Sequence, residues 1–167
     1  MSNEKLTTPD MELAIVEYFD MLRNTIIPNV SWGFLNHEAD LLIITKSDKL
    51  YEVEIKISLS DLKADKKKTH GHSSNKIKYL YYAIPKYLLE KSVEHIPEYG
   101  GILTVERNAR KGFRKQYRVE LYRKPMQRVV YTLNHNDKLK LFRLGCIRIW
   151  TLKKKILKHT QIQKRIV

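Results

Sequence analysis

Three side chains carry the strongest chemical signal in the chain: Asp40, Glu54 and Lys56, set in two short apolar segments on either side of a polar turn. A hard divalent cation such as Mg²⁺ takes oxygen ligands and is commonly held by one or two carboxylates, with waters and phosphate oxygens completing its shell. Asp40 and Glu54 meet that demand. Glu54 and Lys56 are two residues apart, so on a strand they leave the same face and set an ammonium beside a carboxylate that can bind metal. Such an ammonium can orient an attacking water or stabilise charge developing on a phosphoryl group. E-x-K triplets are common on ordinary charged strands, where they do no chemistry. This one stands out because an aspartate heads the preceding apolar run and because charge and apolarity alternate around the triplet.

The elements that must position these groups follow from the pattern. Asp40 opens Leu41-Leu42-Ile43-Ile44, Ser47-Asp48-Lys49 supplies turn residues, and Leu50 to Ile57 alternates at the two-residue period of a strand. The pattern predicts two adjacent antiparallel strands holding one carboxylate each at neighbouring positions. Upstream, Pro9 to about Asn24 reads as a helix, capped by Thr7 or Thr8 with Pro9 in its first turn. Ile15, Phe19 and Leu22 form its apolar stripe, and Glu12 lies on that stripe one turn earlier, facing the sheet. Glu17 falls on the solvent flank with Asp20 and Asn24. Glu12 is equally accounted for as a first-turn acid welcomed by the helix dipole, so both readings stand on the residues alone.

With Glu12 on a first helix, Asp40 at a strand start and Glu54-Ile55-Lys56 beyond it, the chain resembles the PD-(D/E)xK nuclease superfamily. One departure is that His37-Glu38-Ala39 precedes Asp40, so the proline of the name is missing, as in many members of this divergent group. Within it, the stretches Pro28 to Gly33, Val53 to Lys56, Tyr81 to Pro85 and Arg148 to Trp150 are similar to the MmcB-like DNA-repair and phage or restriction-type nucleases. The resemblance implies a restriction-endonuclease-like αβββαβ core and Mg²⁺-dependent cleavage of DNA, with Mn²⁺ able to substitute. It also favours Glu12 as the upstream acid. Asp40 and Glu54 would be the metal ligands, with Glu12, Asp40, Glu54 and Lys56 together forming the catalytic set.

Along the rest of the chain, strands are expected near Ser31 to Leu35, Tyr79 to Ile84 and Gly101 to Glu106, with helices from about Ser58 and over Lys86 to Glu94. This is an α/β order with a mixed sheet covered on both faces. The 167 residues read as a single nuclease-like domain, with a core of about 9–106 and a basic C-terminal extension of 107–167. From Asp137, the residues Leu139, Phe142, Cys146, Ile149 and Trp150 recur at helical spacing, a stripe expected to dock on the sheet and leave Lys138, Lys140, Arg143 and Arg148 outside. Trp32 and Trp150 are expected as core anchors and Cys146, the single cysteine, as a buried thiol.

Charge is placed unevenly. Residues 107–167 hold 19 Lys and Arg against Glu120 and Asp137, a net +17, and the first 106 hold 13 basic and 16 acidic residues, a net −3. A polyanion that sheds counterions on binding rewards such a surface, which points to DNA as partner, with phosphate contacts at Arg107, Arg110, Lys111, Arg114, Lys115 and Arg118. Lys76 and Lys78 are added as contacts near the site. They flank a polar, basic loop from Asp65 to Lys76 in which His70 and His72 can bind metal or shuttle protons, or simply touch phosphate. No membrane partner is expected from the basic run, which lacks an apolar anchor of its own. With no membrane-spanning run and no secretory signal at the N-terminus, the location expected is cytoplasmic. Double-strand cutting would favour a symmetric homodimer. Two other readings remain: a DNA-binding or repair-accessory protein that keeps the nuclease fold without cleavage, and an RNA-binding protein supported by charge alone.

Overall fold

A computed structural model describes residues 5–30, 33–35, 37–65, 74–108, 116–130 and 132–166. Two compact units appear, Met1–Leu133 and Asn134–Val167. The first is a mixed α/β unit built on one six-stranded sheet in the order β1-β2-β3-β4-β5-β6. Its elements run α1 (Thr8–Tyr18), β1 (Thr25–Val30), β2 (Ala39–Ile44), β3 (Leu50–Ile55), α2 (Leu59–Asp65), β4 (Ile77–Pro85), α3 (Leu89–Ser92), β5 (Gly101–Arg107) and β6 (Tyr117–Arg123). The second unit is α4 (His135–Ile166), a single helix of 32 residues. Among the described residues, no helix is long and apolar enough to cross a membrane.

Strands β1, β2 and β3 form an antiparallel meander, β4 and β5 lie parallel to β3, and β6 returns antiparallel to β5. The β2–β3 hairpin closes through Thr45 N to Lys49 O (3.0 Å) and Asp48 N to Thr45 O (3.0 Å). Its turn needs a left-handed residue, supplied by Asp48 at φ 55°, a conformation that aspartate tolerates better than most side chains. Alternation then sorts the strands into two faces. Leu41, Ile43, Val53, Ile55, Ala83, Leu103 and Val105 pack with Met11, Ala14 and Ile15 of α1. On the other face Leu80, Tyr82, Ile84 and Ile102 pack with Leu62 of α2 and Ile96. Both faces are covered, as the alternating pattern requires.

Several boundaries differ from the sequence expectations. Thr7 is the N-cap, in a reciprocal capping box with Asp10, but α1 stops at Tyr18 rather than Asn24. Asp20 turns left-handed at φ 53° and the Asn24 side-chain amide donates to Phe19 O (2.7 Å), so the chain leaves the helix and Leu22 is 92% exposed. The first strand is Thr25–Val30, not the segment near Ser31 to Leu35. Pro28 lies within that first strand, which is tolerated because β1 is a sheet edge, where a residue without an N–H costs no ladder bond. Strand β6 falls inside the stretch read as basic extension and adds a ladder to β5. In α4, Cys146 is exposed rather than buried, and Trp150, expected as a core anchor, is 62% exposed. Trp32 lies outside the described residues.

Candidate active site

The hairpin register does the assembly. Leu41 pairs with Val53 across β2 and β3, so one step further along Asp40 stands opposite Glu54, and opposed residues of an antiparallel pair share a face. One Asp40 carboxylate oxygen, Oδ2, accepts from the Ile55 backbone N–H at 2.7 Å, which fixes the side chain over the end of β3. Glu54 and Lys56 leave β3 on that same face, opposite the face that α1 covers, and are 2% and 4% exposed. The Lys56 ammonium donates to Glu54 Oε2 at 2.9 Å and to Asp65 Oδ1 at 3.2 Å.

Asp65 comes from α2, and local chemistry explains its arrival. Ser58 Oγ accepts from Asp61 N at 3.2 Å and starts the helix. Leu62 is buried against the sheet, and Asp65, three residues on, shares that inward face. Burial alone would lower the Lys56 pKa, but the charge and hydrogen bond of Glu54 and the charges of Asp65 and Asp40 outweigh it, so the net direction is upward. Lys56 is therefore an ammonium, not a base, at neutral pH. Glu12, on α1, feels the site through its charge. Its carboxyl pKa is raised by burial first and then by the Asp40 charge, the response of an acid held near a second carboxylate.

The same face extends further than the motif. Glu52, fully buried, takes a 2.7 Å contact from His37 Nε2. Tyr82 pairs in register with Glu54 on β4; its phenol is pushed up by burial, then by Asp65, Tyr99, Glu54 and Glu52. Sequence reasoning did not pick out Asp65, Glu52, His37 or Tyr82 as site residues. The period-two run Glu52, Glu54, Lys56 signals the second of these, and the Leu62–Asp65 spacing signals the first. For His37 and Tyr82 the partner is set by sheet register and leaves no local mark.

Asp40, Glu54 and Lys56 are thus brought together on one face, and the Asp40 charge acts on Glu12. The Asp40 and Glu54 carboxylates offer the hard oxygens that a cation such as Mg²⁺ takes alongside waters and phosphate oxygens. Among the described residues no group of three His, Cys, Asp or Glu side chains is gathered that could hold a metal ion.

The expected phosphate contacts are scattered. Arg107 Nη2 donates to Asp10 at 3.1 Å, and Arg118 forms ion pairs with Glu106 and Glu120 on the β5–β6 surface. Lys76 donates to Phe34 O at 3.1 Å and lies 4.2 Å from the Phe34 ring centroid. Lys78 lines a cleft of about 200 Å³ with Lys49 and Arg128. It sits four residues before Tyr82, roughly 13 Å along β4 from the level of Glu54, so it is not beside the site. Arg110, Lys111, Arg114, Lys115, His70 and His72 lie outside the described residues.

No protein-family model matches the chain, and no curated protein matches it in sequence. Among solved structures, a protein of unknown function from Silicibacter pomeroyi is similar, with a TM-score of 0.59 at 12% identity over 90% of each chain. At that identity the likeness is one of fold.

Proposed function

We propose that this chain is a metal-dependent DNA endonuclease of restriction-endonuclease-like architecture that works in the cytoplasm. The observation that carries the reading is the Asp40–Glu54–Lys56 grouping, in which hairpin register, and not sequence adjacency, sets two carboxylates and an ammonium on one face. Asp40 and Glu54 would hold Mg²⁺, or Mn²⁺ in its place. When bound, the cation supplies a water of lowered pKa and positive charge for the phosphoryl oxygens. Lys56, kept protonated, holds that water or neutralises charge on the scissile phosphate. Asp65 and Glu54 fix where its ammonium points. Glu12, with its raised pKa, accepts a proton near Asp40 more readily than an ordinary glutamate. The basic excess of residues 107–167 attracts the DNA backbone.

The test is cleavage of supercoiled plasmid and of branched and single-stranded oligonucleotides with Mg²⁺, Mn²⁺ or EDTA, comparing the parent with Asp40→Asn. Nicking that needs metal and drops by orders of magnitude in a folded Asp40→Asn protein supports the reading. Equal cutting by both proteins removes the site. One observation favours the non-catalytic alternative: Lys56 is engaged by two carboxylates at once, an arrangement that also serves as a structural ion cluster. Salt-sensitive DNA binding without cleavage by either protein would select it.

A further inference from the structure

Helix α4 is amphipathic in a way that DNA binding does not explain. Its exposed large apolar side chains are Leu139, Phe142, Ile147, Ile149, Trp150, Leu152, Ile156 and Leu157. At 100° per residue all but Ile147 fall within an arc of about 160°. Arg143, Lys154, Lys140, Lys158, Lys155 and Arg148 occupy the arc opposite. Over His135–Ile166 the helix carries ten Lys and Arg against the single acid Asp137.

We propose that α4 lies along an anionic lipid bilayer surface, with the Leu139–Leu157 face in the acyl boundary and the opposing cations toward headgroups. Three occupants of such a helix can be compared on its own chemistry. A nucleic acid satisfies the cations and leaves seven large apolar side chains in water. A second copy of α4 covers the apolar face but sets two strongly basic helices side by side, with one acid each to offset the repulsion. An anionic bilayer meets both demands, and long basic helices with Trp and Phe on the apolar side are the type that binds there.

Two details separate a bilayer from an acidic partner helix. The apolar arc is far wider than the narrow seam that a helix pair buries. Lys138 and Lys153 also project within that arc, and Lys153 Nζ sits 5.0 Å from the centroid of the Trp150 ring. In a helix–helix seam Lys153 would be buried, whereas at a membrane its stem lies on the apolar boundary while the ammonium reaches a phosphate. The helix, about 48 Å long, lies on the membrane and does not span it. This goes beyond the nuclease reading and stands without it.

The experiment uses the full chain carrying Trp32→Phe, so that emission reports Trp150, mixed with phosphatidylcholine vesicles with or without phosphatidylglycerol. Expected are co-sedimentation with the anionic vesicles, a blue shift of Trp150 and its protection from iodide, all much weaker on neutral vesicles. Lys154→Gln and Lys158→Gln should each weaken binding about fivefold. Ile149→Ser with Ile156→Ser should abolish the blue shift while the far-ultraviolet circular dichroism keeps its helical signal. The proposal is overturned if no vesicle shifts Trp150, if binding ignores the Ile149→Ser/Ile156→Ser change, or if Trp150 is already shielded from iodide without lipid. It also fails if duplex DNA and not lipid protects the indole.

Discussion

Replacing Lys56 with methionine keeps the stem and removes the charge, leaving Glu54 and Asp65 to face each other in a buried site. Their side chains are 2% and 5% exposed, and the Lys56 contacts are 2.9 and 3.2 Å. At an effective dielectric of 20 each contact carries roughly 5 kcal/mol of Coulomb attraction, and burying three charged groups costs several kcal/mol per ion in return. The parent cluster is therefore near balance, whereas the variant keeps the cost and loses the attraction. A loss of about 3–5 kcal/mol at pH 7 follows, the usual result of breaking a buried pair from one side. The sign of its pH dependence is fixed. In the parent, the Lys56 pKa is raised, so its contribution is whole below the ordinary lysine value of about 10.4 and fades only as pH rises through the folded value. That contribution is flat from pH 5 to 8. In the variant, two buried carboxylates without the ammonium between them disfavour the charged form, so they should take up protons as pH falls and the deficit should shrink toward pH 5. Urea unfolding followed by circular dichroism at pH 5, 6.5 and 8 measures this. Adding Glu54→Gln and Asp65→Asn to Lys56→Met should recover most of the loss. A deficit below about 1 kcal/mol that is independent of pH would refute the reasoning, because the three groups would then be solvated and not packed together.

Asp65→Asn weakens one charged hydrogen bond without emptying the site, so plasmid cleavage should slow roughly ten- to hundredfold with DNA affinity unchanged; a fall in affinity at constant turnover would deny Asp65 its positioning role. Asp10, held to a pKa of about 2 by the Tyr117 hydroxyl, by Thr7 and by Arg107, contributes stability that is present above about pH 4 and is lost as pH falls through 2. Asp10→Ala should cost about 1 kcal/mol near pH 7 and flatten the acid limb of stability between pH 4 and 2, read by thermal unfolding across that range. Gly101→Ala would set a Cβ at 2.8 Å from Tyr81 Cδ1 and 2.9 and 3.0 Å from Cδ and N of Pro125. Since Pro125 meets it with backbone, a loss of about 1–3 kcal/mol is expected, visible as a lowered Tm; an unchanged Tm would show that the 125 segment moves aside freely.

Local signals reported local structure faithfully. The β2–β3 hairpin, the Ser58 start of α2, the Pro85 stop of β4 and β5 at Gly101 were all written in period, cap or breaker residues. The errors share one cause, which is that turn chemistry has different meanings at different depths of a fold. Pro28 is a breaker in a central strand and harmless in β1, and being at the edge is a property of the whole sheet. Asp20 and Asn24 look like polar helix residues until the left-handed turn at Asp20 shows them capping a helix that has already ended. Strand β6 was hidden because Tyr117, Val119 and Leu121 alternate with Arg118, Glu120 and Tyr122 inside a charge run that reads first as polyanion surface.

The site divides along the same line. Glu54 and Lys56 are neighbours by strand period, and Asp40 joins them by hairpin register, so all three could be read from spacing. Asp65 is nine residues beyond Lys56 and meets it only because α2 folds back over the β3–β4 face, a long-range fact that helix periodicity hints at through Leu62 but does not state. That difference bears on the chemistry. The motif by itself describes a lysine beside one carboxylate, free to swing toward a phosphate. The folded site describes a lysine held between two, with its proton secured by Glu54, Asp65 and Asp40. Any role for Lys56 must therefore be that of a fixed cation. A mechanism requiring it to remove a proton from water at neutral pH would have to overcome all three carboxylates, so under the nuclease reading that duty would fall to a carboxylate instead, and Glu12, whose pKa is raised by burial and by Asp40, is a stronger base than an ordinary glutamate.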